Sequence, residues 1–262
     1  MQKIWVCGAR GQIGQAVNDV VDKLEFEMLD TDVDDLDVTD TDEVLRFGEM
    51  NRPDIIINCS GMTDISSCEE NPSQAFKVNA LGARNLAIVA AKMQAKMVQL
   101  STDDVFDGKS TEPYTEFDIT NPGTVYGKSK LAGENYVKEF TTKHFIVRST
   151  WVYGKGQNFI NGFLKKVDAG EQLSIASDQF GSPTSANELA RFLLHLVHTS
   201  EYGTYHATNK GVCSRYAFAQ EILKMTGKTA SMQPVPTVMS DFSKVRPAYA
   251  VLDNFIMSMV PI

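Results

Sequence analysis

Lys3-Ile4-Trp5-Val6-Cys7-Gly8-Ala9-Arg10-Gly11-Gln12-Ile13-Gly14 passes from a short apolar run through three glycines, each three residues apart, into a helical pattern. A strand that turns on glycines into a helix N-terminus gathers backbone N–H groups and the positive end of the helix dipole at one point, which suits a pyrophosphate. The G-x2-G-x2-G spacing differs from the G-x-G-x2-G fingerprint, so the strand-turn-helix setting of Gly8, Arg10 and Gly11 carries the reading. Some twenty residues on, Asp30 and Asp32 end the next predicted strand, where a carboxylate binds adenosine ribose hydroxyls. Both also belong to an aspartate-rich stretch that reads equally well as a solvated turn. A carboxylate there repels a 2′-phosphate and Arg10 could pair with one, so both NADH and NADPH remain open.

Outward from this stretch, short β-branched runs alternate with longer helical patterns. They predict strands over 3–7, 25–29, 55–59, 97–101 and 145–149, and helices over 12–23, 41–50, 72–92 and 126–139. Alternation of this kind specifies a Rossmann-type, doubly wound parallel α/β sheet, and the unbroken run Ile55-Ile56-Ile57 suits a strand covered on both faces. After residue 150 the sequence turns to loops rich in Gly, Asn, Pro and Ser, with helices predicted over 158–169, 185–199 and 214–225. Residues 1–150 therefore read as the NAD(P)-binding domain. Residues 151–262 read as a small substrate lobe interleaved with it.

The chain has 262 residues and a formal charge of −8, and 43% of it is hydrophobic, enough for a core without disulfides or metal. No apolar run approaches the roughly 18 residues of a membrane span. The N-terminus goes straight into the glycine loop without a signal-peptide core, so a cytoplasmic location is expected. Cys7, Cys59, Cys68 and Cys213 lack metal-site spacing and do not group with the histidines. The acidic balance points to a small-molecule partner rather than nucleic acid or membrane. Nothing in the pattern singles out an interface, and a monomer or a homodimer is expected.

The sharper signal is Tyr126-Gly127-Lys128-Ser129-Lys130 at a predicted helix start. Residues four apart share a helix face, so the Lys130 ammonium can favour the Tyr126 phenolate and suit that phenol to proton transfer. Upstream, Leu100-Ser101-Thr102-Asp103-Asp104 leaves the fourth strand for a polar loop, where a hydroxyl could polarise a substrate carbonyl or simply stabilise a turn.

Taken together, these blocks resemble the extended short-chain dehydrogenase/reductase family and, within it, the dTDP-4-dehydrorhamnose reductases. The resemblance continues through Arg52-Pro53-Asp54, Val105-Phe106-Asp107-Gly108, Leu131-Ala132-Gly133-Glu134, Arg148-Ser149-Thr150-Trp151, Asp178-Gln179-Phe180-Gly181-Ser182-Pro183-Thr184 and Arg246-Pro247, over nearly the whole chain. It implies reduction of a dTDP-sugar 4-keto group with NADPH or NADH. Thr102 and Tyr126 would hold the keto oxygen, Tyr126 would give the proton, and Lys130 would bind nicotinamide ribose. Gly11, Gln12 and Ile13 would meet the pyrophosphate, Asp30 the adenosine ribose, and Asp37 and Val38 the adenine. Ser60, Gly61, Met62 and Thr63 would line the cofactor, while Trp151, Asp103 and Arg246 would stand beside the sugar nucleotide.

The same resemblance admits another nucleotide-activated keto sugar as substrate. It also admits a non-catalytic role like that of the regulatory subunit of methionine adenosyltransferase. Two departures carry expectations: Asp104 replaces an aromatic and would bring a carboxylate near the diphosphate, and little chain follows Asp253 for a closing helix.

Overall fold

Six parallel strands form the central sheet of the computed structural model, which describes residues 1–239 and 247–259. The first five, β1 (Gln2–Cys7), β2 (Phe26–Thr31), β3 (Ile55–Asn58), β4 (Lys96–Thr102) and β5 (His144–Ser149), lie within two residues of the predicted bounds. Shorter strands follow: β6 (Val152–Tyr153), β7 (Leu173–Ala176), β8 (Phe180–Gly181), β9 (Thr184–Ser185), β10 (Gly203–His206), β11 (Cys213–Ser214), β12 (Met232–Val235) and β13 (Tyr249–Ala250). The helices are α1 (Gln12–Val20), α2 (Thr41–Asn51), α3 (Ile65–Glu70), α4 (Pro72–Phe76), α5 (Ala83–Met93), α6 (Val125–Phe140), α7 (Phe159–Asp168), α8 (Ala186–His198), α9 (Arg215–Thr226) and α10 (Phe255–Met259).

The sheet order is β2-β1-β3-β4-β5-β10, the Rossmann-type doubly wound arrangement expected from the alternating pattern. The order reverses between β1 and β3, and open α/β sheets bind ligands beyond the carboxyl ends of the strands at such a point. Side chains alternate across each strand and so build two cores. Ile4, Val6, Ile57, Val98 and Val147 pack with α1 and α8 on one face. Trp5, Ile56, Met97 and Ile146 pack with Val44 of α2, Leu86 of α5 and Val137 of α6 on the other.

Sequence pattern did not reveal β10, which pairs with β5 from Gly203↔Phe145 to His206↔Arg148. Together with α8 it returns the later part of the chain to the main sheet. The remaining later elements build a small lobe in which Phe163 and Val167 of α7 and Ala219 and Ile222 of α9 bury against Leu173 and Ile175 of β7. The helix predicted over 72–92 is α4 and α5 joined by a π-helical turn at Lys77–Gly82. A helix does follow Asp253: α10 is short, its Ile256 packs on the first core, and the Ile256 N–H donates to Glu116 Oε1 at 3.3 Å. Among the described residues no helix is long and apolar enough to cross a membrane.

Candidate active site

The carboxyl edge of the sheet opens into two connected hollows. One, of about 570 Å³, lies between the glycine loop and the turn after β2, and is lined by Gly8, Arg10, Gly11, Asp32, Asp37 and Val38 together with Ser60, Gly61 and Met62. Gly8 adopts φ +75°, and a Cβ there would lie 2.7 Å from the Ser60 amide nitrogen, so only glycine lets the two loops approach this closely. Gly11, which lines this hollow, is the N-cap of α1 and offers no side-chain bond, so the first N–H groups of the helix have no side-chain cap. A cradle of backbone donors with no side chain filling it fits the pyrophosphate of a dinucleotide.

Asp30 and Asp32 part company here. Asp30 is exposed and outside the lining, whereas Asp32 lines the hollow and accepts the Arg10 backbone N–H at 2.8 Å. The Arg10 guanidinium pairs with Asp35 at 2.8 Å and Asp34 at 3.3 Å. Those pairs are more than half exposed, and such contacts hold a side chain only weakly. The Gln12 side chain is committed to the lobe: it donates to the Val152 carbonyl at 3.0 Å and accepts from Asn158 at 2.9 Å.

The second hollow, of about 880 Å³, brings Gln12, Ile13, Ser60, Gly61 and Thr63 together with Thr102, Asp103, Tyr126, Lys130 and Trp151. Tyr126 and Lys130 lie one turn apart on α6, as their spacing predicts. Thr124 caps that helix, accepting the Gly127 N–H at 2.9 Å. A Cβ on Gly127 would lie 2.0 Å from the Asp104 carbonyl, so glycine allows α6 to press against the turn after β4, and Tyr126 and Thr102 line the same hollow. Thr102 also does turn chemistry: its hydroxyl accepts the Asp104 N–H at 3.2 Å and donates to Asp103 Oδ1 at 3.0 Å. To serve a keto oxygen it must turn that proton away from Asp103. Asp104 is buried and does not line the hollow, contrary to the expectation of a carboxylate beside the substrate.

Sequence reading missed Asn79, which the π-helical turn carries. It accepts the Met62 N–H at 2.8 Å and donates to the Met62 carbonyl and to Ser129 Oγ, each at 2.9 Å. The loop after β3 is thereby fixed to α6. A π-helical segment in an otherwise regular helix often marks a functional position, but i→i+5 bonding has no simple sequence pattern.

Behind Lys130 lies a buried charged network. Glu134, one further turn along α6 and fully buried, accepts from Arg148 Nε at 2.9 Å, Arg148 Nη2 at 2.7 Å and Ser101 Oγ at 2.5 Å. Burial opposes its charged form, but the bonds from Arg148 and Ser101 outweigh this and hold the carboxyl below its usual range. Burial and the Arg148 guanidinium pull His206 down to about 4, so its imidazole is neutral near pH 7. Its Nδ1–H therefore donates to the carbonyls of Tyr114 and Asp253, at 3.0 and 3.1 Å.

Burial lowers the Lys130 ammonium to about 8, with the Glu134 carboxylate opposing the shift. Burial pushes the Cys59 thiol up to about 12, so it stays protonated. Raising the pH through about 8 neutralises Lys130 in the free enzyme. Because kcat/KM reports free-enzyme ionisations, it is expected to fall above that pH. A steady-state pH profile that stays level well into the alkaline range contradicts this assignment.

On the lobe side, Trp151 lines the cleft with φ +47°, an uncommon backbone state for a bulky residue. Its indole lies 3.5 Å beneath the guanidinium carbon of Arg215, a cleft residue that sequence reading did not single out. Arg246 lies outside the described residues.

Comparison with known proteins agrees with this layout. Residues 1–260 match the family described as the RmlD substrate binding domain. The chain is 35% identical over 255 residues to the spore coat polysaccharide biosynthesis protein SpsK of Bacillus subtilis, covering 97% of this chain and 90% of that one. A crystal structure of a dTDP-4-dehydrorhamnose reductase from Clostridium acetobutylicum superposes with a TM-score of 0.96 at 41% identity, over 99% of this chain and 92% of the other. That of the Bacillus anthracis dTDP-4-dehydrorhamnose reductase, in complex with NADP, gives 0.96 at 36% identity over 99% and 93%. Matched over nearly its whole length in this way, the chain belongs to the RmlD substrate binding domain family, and dTDP-4-dehydrorhamnose reductases are among its relatives.

Proposed function

We propose that this oxidoreductase reduces the 4-keto group of dTDP-4-dehydro-L-rhamnose to give dTDP-L-rhamnose with NADPH or NADH, acting in the cytoplasm as a monomer or homodimer. In this reading residues 1–150 hold the cofactor and residues 151–262 the sugar nucleotide. The observation that carries it is the cleft that holds Tyr126, Lys130 and Thr102 together and opens onto the glycine loop.

The reduced nicotinamide, when bound, supplies the hydride. The chain supplies the rest. Gly8, Gly11 and the start of α1 receive the pyrophosphate, Asp37 and Val38 border the adenine, and Ser60, Gly61, Met62 and Thr63 wall the groove. Asp32 is better placed than Asp30 for the adenosine ribose. The Tyr126 hydroxyl donates its proton to the sugar 4-oxygen as negative charge develops there, and the Thr102 hydroxyl shares that oxygen. Lys130, charged at neutral pH, binds the nicotinamide ribose hydroxyls and favours the phenolate that Tyr126 becomes.

Incubation of the purified protein with dTDP-4-dehydro-L-rhamnose and either reduced nucleotide is expected to consume nucleotide and yield dTDP-L-rhamnose by mass spectrometry. Absence of turnover with both nucleotides overturns the substrate assignment.

A further inference from the structure

Gln12 is the first residue of α1, and its backbone and side chain serve different parts of the molecule. The backbone follows Gly11, the N-cap, and belongs to the turn that suits a pyrophosphate. The side chain reaches partners 140 and 146 residues further along the chain. Its Nε2 donates to the Val152 carbonyl at 3.0 Å, and its Oε1 accepts from Asn158 Nδ2 at 2.9 Å. Asn158 is itself fixed: its Oδ1 caps α7 by accepting the Asn161 N–H at 3.1 Å, and its Nδ2 also donates to the Gly154 carbonyl at 2.8 Å. The Gln12 carboxamide therefore has one workable orientation, since reversing it would set oxygen against a carbonyl and NH2 against NH2.

The segment held in this way, residues 152–158, walls the lobe side of the cleft, where Val152, Tyr153, Gly156, Gln157 and Asn158 join Gln12 in the lining. It packs on Gln12 as well as bonding to it, for a Cβ on Gly154 would lie 3.4 Å from Gln12 Cγ and 2.9 Å from Ala186 Cβ. Lys155 adds an exposed pair with Asp19 of α1 at 2.6 Å, which by itself contributes little. Neutral hydrogen bonds stabilise modestly, so the segment has an attached and a detached state. When the first N–H groups of α1 bind a pyrophosphate, the Gln12 backbone is held still, and a fixed anchor favours attachment. A segment already in place costs a second ligand less ordering.

Resting on the function proposed above, we infer that Gln12 is a positioning residue for the sugar nucleotide, acting through Val152 and Asn158. It fastens the 152–158 segment to the pyrophosphate turn, and through this link a bound dinucleotide and a sugar nucleoside diphosphate strengthen each other's binding.

Fluorescence titration with NADPH, alone and with thymidine diphosphate at a concentration shown by calorimetry to saturate, reads this coupling. Linkage makes the same factor apply to both ligands. In the unmodified protein the diphosphate is expected to tighten NADPH by about fivefold or more, the lower end of typical coupling. Gln12→Met keeps the length and packing of the side chain and removes both bonds, and it is expected to show no tightening. Asn158→Ser retains a good α7 cap and cuts the link from the lobe side, so it is expected to lose the tightening as well. The ratio of the two NADPH affinities decides: a merely structural role lowers stability and leaves the ratio as it was, which overturns the proposal. Independent binding of the two ligands to the unmodified protein overturns it too. Should the sugar prove not to be turned over, uridine, guanosine and adenosine diphosphates replace thymidine diphosphate. Coupling lost on Gln12→Met with the one that binds then upholds the link although the substrate assignment has failed, and binding of none overturns both.

Discussion

Tyr126→Phe is expected to lower kcat by about 10² to 10⁴, the usual cost of removing a general acid, while cofactor binds as before. The phenyl ring keeps the packing of Tyr126 against Ile65 and Ala75, so the groove is preserved and only the transferable proton is lost. Cofactor affinity can be followed by nicotinamide fluorescence and turnover by stopped-time product analysis. Because the lost interaction belongs to the transition state, kcat and kcat/KM should fall together. Turnover at the wild-type rate in this variant refutes Tyr126 as the proton donor.

Breaking the buried pair behind the site should have the largest effect on stability. Glu134→Gln leaves the Arg148 guanidinium, 3% exposed, without its counter-charge, and loss of one partner of a buried pair costs about 3–5 kcal/mol. Glu134 also acts on the site through its charge: it opposes the burial-driven fall of Lys130, so in the variant the alkaline limb of the pH profile should move to lower pH. The sign for stability follows from the depressed carboxyl of Glu134. Its contribution is fully present above the unfolded value of about 4.3 and is lost as the pH falls through the lower folded value. Urea unfolding near neutrality should show the loss, and acid unfolding should show a shallower dependence. Adding Arg148→Met should recover part of the loss, because replacing both charges leaves none buried and uncompensated. A cost for Glu134→Gln no greater than that of a typical surface substitution contradicts this account of the network.

Much of this protein was legible before any tertiary contact was known. Apolar runs of strand period separated by helix-period stretches fix elements locally, so the first five strands and α1, α2 and α6 could be read within a few residues. The glycine loop was legible because a strand-to-helix turn carrying φ +75° at Gly8 requires a residue without Cβ. Tyr126 and Lys130 were legible because four residues make one helical turn. All of these depend on interactions between near neighbours in sequence.

What stayed hidden depends on neighbours far apart in sequence. β10 is four residues long and gains its place only by pairing with β5, and Asp32 rather than Asp30 lines the hollow beside the glycine loop because the chain leaves β2 for the turn just before it. Asp104 turned out buried because α6 closes over its turn through Gly127. Glu134, Arg148, Ser101 and His206 come from four elements, and Arg215 reaches Trp151 only because the lobe folds back over the sheet edge. The sequence by itself determined the first five strands, the glycine turn and the Tyr-Lys pair, since backbone geometry and helix period act over a few residues. Only the tertiary structure decided which charges are buried and what covers the faces of Trp151, because desolvation and stacking are set by whatever distant segment packs there.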